Sequence, residues 1–406
     1  MDSNWKRIII SAPGKVILHG EHAVVYKEPA IAASLDLRSY LCVEKRNDDK
    51  VSVQFPDVKL AASWNIQDLK KLSILKCDPL EPQPLSEELL SSLREFTQQK
   101  KDTTDPKDLA ILAFLYLYTA IQSKEGELSP LDFKLMSQLP VGAGLGSSAS
   151  LSVCLSAALL TVHSVIEQPC YTDGDKVIFG QWSALHLETI NKLAHQAEKI
   201  MHGNPSGIDN SVATYGGAIR FQGGNIQKID RIPELRILLT NTKVPRSTKA
   251  LVADVRKKYD KYPEIFRPVM ESFRAVTEKA LETYRMMSRD SINVTTDLYS
   301  VLEDLVDINQ NLLKLIGVSN STLEQICQLT SDYGLHTKLT GAGRGGCAIT
   351  LLRPDTDPVR VEEVQDKLRS CGFDCWKTGV GGPGVVTHFI LTQNEQALLK
   401  DLITVL

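Results

Sequence analysis

The segment Pro140-Val-Gly-Ala-Gly-Leu-Gly-Ser-Ser148 combines three glycines with two hydroxyls, a set of residue types that can hold a polyphosphate. Gly142, Gly144 and Gly146 let backbone N–H groups approach anionic oxygens, and a following helix adds its positive N-terminal end. A hydroxyl at the start of that helix, as on Ser147 or Ser148, can ligate the magnesium that bridges nucleotide phosphates, although no Gly-Lys-Ser/Thr is present. Tight turns and dinucleotide loops also use Gly-x-Gly-x-Gly, so the run alone is weak evidence. Two more segments stand out: Pro13-Gly-Lys-Val-Ile-Leu-His-Gly-Glu-His22 and Leu339-Thr-Gly-Ala-Gly-Arg-Gly-Gly-Cys347.

Phosphoryl transfer needs a metal, cationic compensation for developing charge, and a group that orients or deprotonates the attacking hydroxyl. Glu198 is a candidate carboxylate for magnesium; by residue type alone it reads as a solvated helix residue. Asp209 follows the turn Gly203-Asn-Pro-Ser-Gly207, which can fix a carboxylate at a substrate, whereas the bland reading is a helix N-cap. Lys15 follows Pro-Gly near a strand end. Beside Asp209 it would keep that carboxylate ionised and ready to accept a hydrogen bond from an alcohol.

These residues must be positioned by elements that the patterning outlines. Arg7 to Ala12 is a short β-branched run, and Ala30 to Glu44 alternates partly as strands do. An apolar helix (Leu109 to Gln122), a strand (Leu131 to Leu139), the glycine loop and a second apolar helix (Ala149 to Ile166) follow, and strand, loop, helix is a phosphate-site arrangement. A helix from Leu185 to His202 leads into the turn before Asp209. Strands are expected over Ala218 to Phe221 and Arg236 to Thr240, then mostly helix from Thr248 to Ser288 and from Asp297 to Ile316. The remainder alternates: helix Leu323 to Tyr333, strand Thr337 to Leu339, loop Gly341 to Gly346, strand Ala348 to Leu352, helix Pro358 to Ser370, strand Val385 to Leu391, helix Glu395 to Val405. The fold class is α+β, with residues 1–230 as one domain and 231–406 as a second whose helices cover one side of a small sheet.

Composition narrows the partners. The 406 residues are 43% hydrophobic and 23% charged, enough apolar content for a full core. A balance of 46 Lys+Arg against 49 Asp+Glu leaves a net charge of -3, with no basic excess to hold nucleic acid or an anionic membrane. The longest apolar stretches fall short of the ~20 residues that span a bilayer, and Ile8-Ile9-Ile10 is too brief for a secretory signal. Eight irregularly spaced cysteines suit reduced thiols and a cytoplasmic location.

The three glycine segments, in this order, resemble the motifs of the GHMP kinases, the family named for galactokinase, homoserine kinase, mevalonate kinase and phosphomevalonate kinase. Gly20-Glu-His-Ala-Val-Val-Tyr26, His202-Gly-Asn-Pro-Ser-Gly-Ile-Asp-Asn210 and Leu239-Thr-Asn-Thr-Lys-Val-Pro-Arg246 are similar to the members that act on mevalonate. The resemblance implies an N-terminal ribosomal-protein-S5-like domain and a C-terminal ferredoxin-like domain with the active site between them. It implies ATP-dependent phosphorylation of (R)-mevalonate with Mg2+, with phosphomevalonate kinase or a galactokinase-like enzyme as alternatives; a non-catalytic nucleotide-binding sensor is the remote one, since it would be expected to lose Lys15 or Asp209 and both are present. Asp209 matches the catalytic aspartate, Lys15 its partner lysine, and Ser148 with Glu198 the magnesium ligands. Ser137 and the loop Gly142, Ala143, Gly144, Leu145, Gly146, Ser147 and Ser148 match ATP contacts. Glu21, His22, Arg246 and Thr248 match positions at the mevalonate end. The family also implies inhibition by prenyl diphosphates and a homodimer. Lys15-Val16, five residues and His22-Ala23 fit a peroxisomal targeting pattern, but the active site accounts for the same residues.

Asp57 stands where relatives tend to carry Asn at the nucleotide's base, and a carboxylate cannot donate the amide hydrogen bond. Arg344 replaces a glycine of the third loop and is expected to point outward. Cys347 reads as a small buried hydrophobe. His19, His195 and His202 lack companions at ligand spacing, so no structural zinc is expected.

Overall fold

The computed structural model describes residues 5–72, 82, 85–121, 127–169, 179–229, 232–289 and 295–388. The helix expected over 395–405 lies outside them, as do the last residues of the strand expected over 385–391.

Two long antiparallel strands, β1 (Arg7–His19) and β2 (Ala30–Lys45), form the spine. Their register shifts between Pro13 and Gly14 and again between Ile17 and His19. Pro13 has no N–H for the ladder, and a bulge is where a strand tolerates it. The hairpin of β3 (Lys50–Phe55) and β4 (Leu60–Asn65), which the patterning did not single out, extends the sheet. The short helix α1 (Ile66–Leu69) follows, then α2 (Glu87–Thr97), capped by Ser86, and α3 (Pro106–Ala120), started by the Asp105 cap and Pro106 at its first position. β5 (Leu131–Ser137) pairs antiparallel with β2 and parallel with β3.

Helix α4 (Ser147–Val162) starts two residues earlier than its apolar run suggests, because Gly146 in the left-handed region serves as its N-cap and brings Ser147 and Ser148 into the first turn. Leu151 to Leu160 are buried on every face, as expected of a helix with no polar side. The two-residue strand β6 (Phe179–Gly180) precedes α5 (Ala184–His202), α6 (Ile208–Tyr215), β7 (Ala218–Gln222) and β8 (Asn225–Ile229). Helices α3, α4 and α5 share one core with β1, β2, β3 and β5. At its centre Phe114, fully buried, meets Phe55 and Phe133 edge-on and stacks on Tyr118 and Trp64.

The second half begins with β9 (Leu235–Asn241). Four helices follow: α7 (Thr248–Lys261), α8 (Pro263–Arg289), α9 (Thr295–Leu315) and α10 (Ser321–Ser331). Then come β10 (Thr337–Thr340), β11 (Cys347–Leu352), α11 (Pro358–Ser370), β12 (Asp374–Val380) and β13 (Val386–His388). The order β10-β11-β9-β12, all antiparallel, is the β-α-β-β-α-β ferredoxin-like arrangement.

One expectation is corrected. Helices cover both faces of this sheet, not one: Ile237 and Ile349 face α9 and the C-terminal half of α8, while Leu238 and Ala348 face α10, α11 and the start of α8. Strands apolar at successive positions must be covered on both sides. Strands from the two halves of the chain also join. Val380 of β12 pairs with Leu35, and β13 pairs with β1, so the end of the chain returns to the first half and all strands form one sheet. Among the described residues no helix is long and apolar enough to cross a membrane.

Candidate active site

The bulge in β1 aims Lys15, and Gly14 permits the approach that matters. A Cβ there would lie 2.8 Å from the carbonyl oxygen of Leu145 and 2.4 Å from the Leu139 side chain. Without it, Lys15 N–H donates to Leu145 O at 2.8 Å and locks the phosphate loop to the strand. The loop returns the contact, since a Cβ on Gly146 would stand 3.1 Å from Lys15 Cγ and 3.7 Å from Asp209 Oδ2.

Asp209 is the second residue of α6, not its cap; Gly207 holds the N-cap position at φ 82°. Its Oδ1 lies 3.3 Å from Lys15 Nζ. One side chain comes from the first strand, the other from a helix almost two hundred residues later, and both line a cavity of about 1090 Å³.

Glu198, on α5, is enclosed. Ser148 Oγ donates to its Oε2 at 3.3 Å and Ser152 Oγ to its Oε1 at 3.2 Å. Burial, and next the negative charge of Asp209, push its carboxyl up to about 8 against those two hydrogen bonds and Lys15. A buried carboxylate held near a second one, with a hydroxyl beside it, is a donor set short of positive charge, and a hard divalent cation would supply it. His202, one turn along α5, joins this group with Nε2 2.9 Å from Ser148 Oγ. Sequence reasoning set it aside with the other histidines, although its i, i+4 spacing from Glu198 was a usable signal.

Gly142, Gly144, Gly146, Ser147 and Ser148 line the cavity. The side chains of Ala143 and Leu145 instead turn into the core, so these two positions offer only backbone to a ligand. Ser137 borders the cavity with its N–H donating to Asp57 Oδ2 at 3.0 Å, so Asp57 uses one oxygen as an acceptor within the protein.

The expected substrate positions divide. Thr248, the first residue of α7, is exposed on the cavity, and His22 lines it with Nε2 donating to Ala342 O at 2.6 Å. Glu21 borders the cavity but is fully enclosed, its oxygens taken by Lys338 and Asn309. Arg246 threads its guanidinium between the two glycine loops, donating to Ala143 O at 3.1 Å and Thr340 O at 3.4 Å. A Cβ on Gly144 would fall 1.6 Å from Arg246 Nη2, and one on Gly346 would lie 2.7 Å from its Cζ, so these glycines make room for the arginine.

Arg344 points away from the cavity. At φ 48° it donates to Gly317 O and to Asp254 Oδ2 on α7, each at 3.0 Å. Glycine at this position relieves a left-handed backbone but loses a half-exposed ion pair, so Arg344→Gly is expected to change stability by under about 1 kcal/mol and the KM for ATP by under about threefold. Denaturant unfolding and initial rates check it; a tenfold rise in that KM would place Arg344 at the phosphates. Cys347 is fully buried, and burial pushes its thiol up to about 12, so it offers no thiolate near neutral pH.

Comparison with known proteins gives the lineage of the chain. The family model described as "GHMP kinases N terminal domain" matches residues 110–217, and that described as "GHMP kinases C terminal" matches residues 296–374. Mevalonate kinase of Bos taurus is 47% identical over 381 residues, covering 94% of this chain and 95% of that one. Mevalonate kinase of Homo sapiens is 46% identical over the same length and shares. Among solved structures, the Methanococcus jannaschii mevalonate kinase superposes with a TM-score of 0.67 at 21% identity, covering 93% of this chain and 98% of that one. The L. major mevalonate kinase in complex with R-mevalonate does so with 0.65 at 23%, covering 94% and 97%. At such identities the structures speak for the fold, while the sequence relatives carry the lineage: the chain belongs to the GHMP kinase family.

Proposed function

We propose that this chain transfers the γ-phosphoryl group of ATP to the primary alcohol of (R)-mevalonate, giving 5-phosphomevalonate and ADP. The observation that carries the reading is the Lys15–Asp209 pair at 3.3 Å, set against the backbone of Gly146 in the same cavity as the phosphate loop. The animal relatives that share nearly half of this sequence are mevalonate kinases. Asp209 accepts the hydrogen bond of the attacking hydroxyl and takes its proton as the new O–P bond forms and the bond to ADP breaks. Lys15 holds Asp209 in place and faces the charge spreading over the transferred oxygens. The start of α4 and the loop N–H groups hold the phosphates.

Ser148 and Glu198 would hold Mg2+, whose chemistry there is to neutralise phosphate charge and fix the phosphates in line. Prenyl diphosphates fit as inhibitors competing with ATP: a diphosphate matches the glycine cradle, and Phe55, Val58, Leu109 and Leu135 give the same cavity an apolar wall. Noncompetitive inhibition would argue against that overlap. The described cysteines are all unpaired, which supports a cytoplasmic location. Assembly as a homodimer and peroxisomal delivery rest on family resemblance and the targeting pattern alone.

A coupled assay of ADP release with ATP, Mg2+ and a panel of alcohols tests the reading. Mevalonate is expected to exceed phosphomevalonate and galactose by at least about a hundredfold in kcat/KM. Preference for either of the others would assign the site to a different branch of the family.

A further inference from the structure

Three side-chain bridges tie residues 17–22, where β1 ends, to residues 338–342, where β10 runs into the third glycine loop. Thr340 Oγ1 accepts from Ile17 N–H at 3.0 Å and donates to Ile17 O at 2.9 Å. His22 Nε2 reaches Ala342 O. Lys338 Nζ donates to Glu21 Oε1, with both side chains 0% exposed, and to Leu339 O at 2.9 Å. Asn309 on α9 completes the carboxylate by donating to its Oε2 at 3.2 Å.

The turn between these anchors is strained. Gly20 takes φ 89°, where a Cβ would meet Pro29 O at 2.3 Å, and His22 takes φ 59°. A residue other than glycine holds that angle only when its surroundings impose it. A carbonyl only accepts, so the His22 proton sits on Nε2, and Nδ1 is left as an acceptor on a ring that lines the cavity. Burying an ion pair costs desolvation that an apolar pair of equal volume would avoid, so its presence calls for a directional purpose.

We propose that Lys338 is a positioning residue for the alcohol-binding wall: its ammonium fixes Glu21, and through Glu21 the left-handed turn that sets His22 in the cavity. The inference rests on the proposed kinase reaction and assigns Glu21 to support of the wall, not to contact with substrate. Lys338 itself stays out of the cavity and acts only through its partner.

Initial rates with ATP and (R)-mevalonate, together with thermal unfolding, test it on Lys338→Met, Asn309→Ala and the double variant Glu21→Leu/Lys338→Met. Lys338→Met is expected to raise the KM for mevalonate by at least about tenfold while the KM for ATP stays within about threefold. The double variant leaves no charge unpaired and is expected to regain most of the lost Tm, yet to keep the raised KM for mevalonate. Asn309→Ala moves the same constant in the same direction by about three- to tenfold. Recovery of the mevalonate KM together with the Tm in the double variant, or equal rises in both KM values, would make the pair a packing feature only. If Lys338→Met fails to fold, the other two variants decide. An unsubstituted chain that phosphorylates a different alcohol would overturn the substrate reading instead, and the split between the two KM values would then be read on that alcohol.

Discussion

Asp209→Ala is expected to phosphorylate mevalonate more slowly by a factor on the order of 10³ or greater, while its dissociation constant for ATP stays within about threefold. The carboxylate faces Lys15 at 3.3 Å and abuts Gly146, and in the proposed reaction this places it beside the attacking alcohol. Its contact with the hydroxyl strengthens as the oxygen loses its proton, so it stabilises the transition state more than the bound ground state. Removing the charge also leaves the Lys15 ammonium, only 12% exposed in its side chain, without its anionic partner. Asp209→Asn keeps the shape and loses the base, and it should fall nearly as far. Single-turnover rates with saturating ATP, beside nucleotide titration of the same variants, separate the two quantities. Turnover near that of the unsubstituted chain in both variants would remove Asp209 from the chemistry.

Glu198→Gln is expected to move stability and activity in opposite directions. In the ligand-free protein, burial and the Asp209 charge raise the Glu198 carboxyl from 4.5 to about 8. Between those values the folded chain holds a proton that the unfolded chain has released. The stabilisation is therefore fully present below about pH 4.5 and is lost as pH rises through about 8, at a limiting slope of ~1.4 kcal/mol per pH unit for one proton. Glutamine does not titrate, and its one amide oxygen can accept from one of Ser148 and Ser152 while its N–H donates to the other hydroxyl, so the variant should be the more stable form at pH 8 by a few kcal/mol, roughly, and lack this part of the pH dependence. Its Mg2+-dependent turnover should fall by about 10² or more, because a neutral amide is a poor ligand for a hard dication. Urea unfolding of the metal-free protein from pH 5 to 9 reads the first effect, and initial rates against Mg2+ read the second. A pH profile of unfolding identical to that of the parent would show that Glu198 is already ionised in the fold. Full turnover in the variant would place the cation elsewhere.

The chemistry of this chain was legible where a local backbone requirement selects residue types. Gly142, Gly144 and Gly146 all have φ near 76°, conformations that side chains resist, so their alternation along the sequence already announced a loop whose N–H groups converge. Asp209 was readable because the glycine-bracketed turn before α6 leaves a carboxylate in the first turn of a helix. Strand β12 was not. Asp374, Lys377 and Gly379 interrupt its apolar pattern, and it becomes a strand because β9 offers seven residues of partner edge.

Sequence by itself determined the α+β class and the three glycine segments, because each depends on residue type within a few neighbours, whereas Lys15, Ser148, Glu198 and Asp209 stood out as a set only through the family resemblance. Only tertiary structure decided that Arg246 lies between the two loops, that Ala143 and Leu145 face the core, and that Glu21 is spent on Lys338. The last pair is separated by 317 positions. In Thr337-Lys-Leu-Thr340 the lysine reads as one that points to water, and nothing local announces its burial. Its charge is tolerated there because the fold brings it a carboxylate, and a contact made across that length of chain leaves no pattern in either segment.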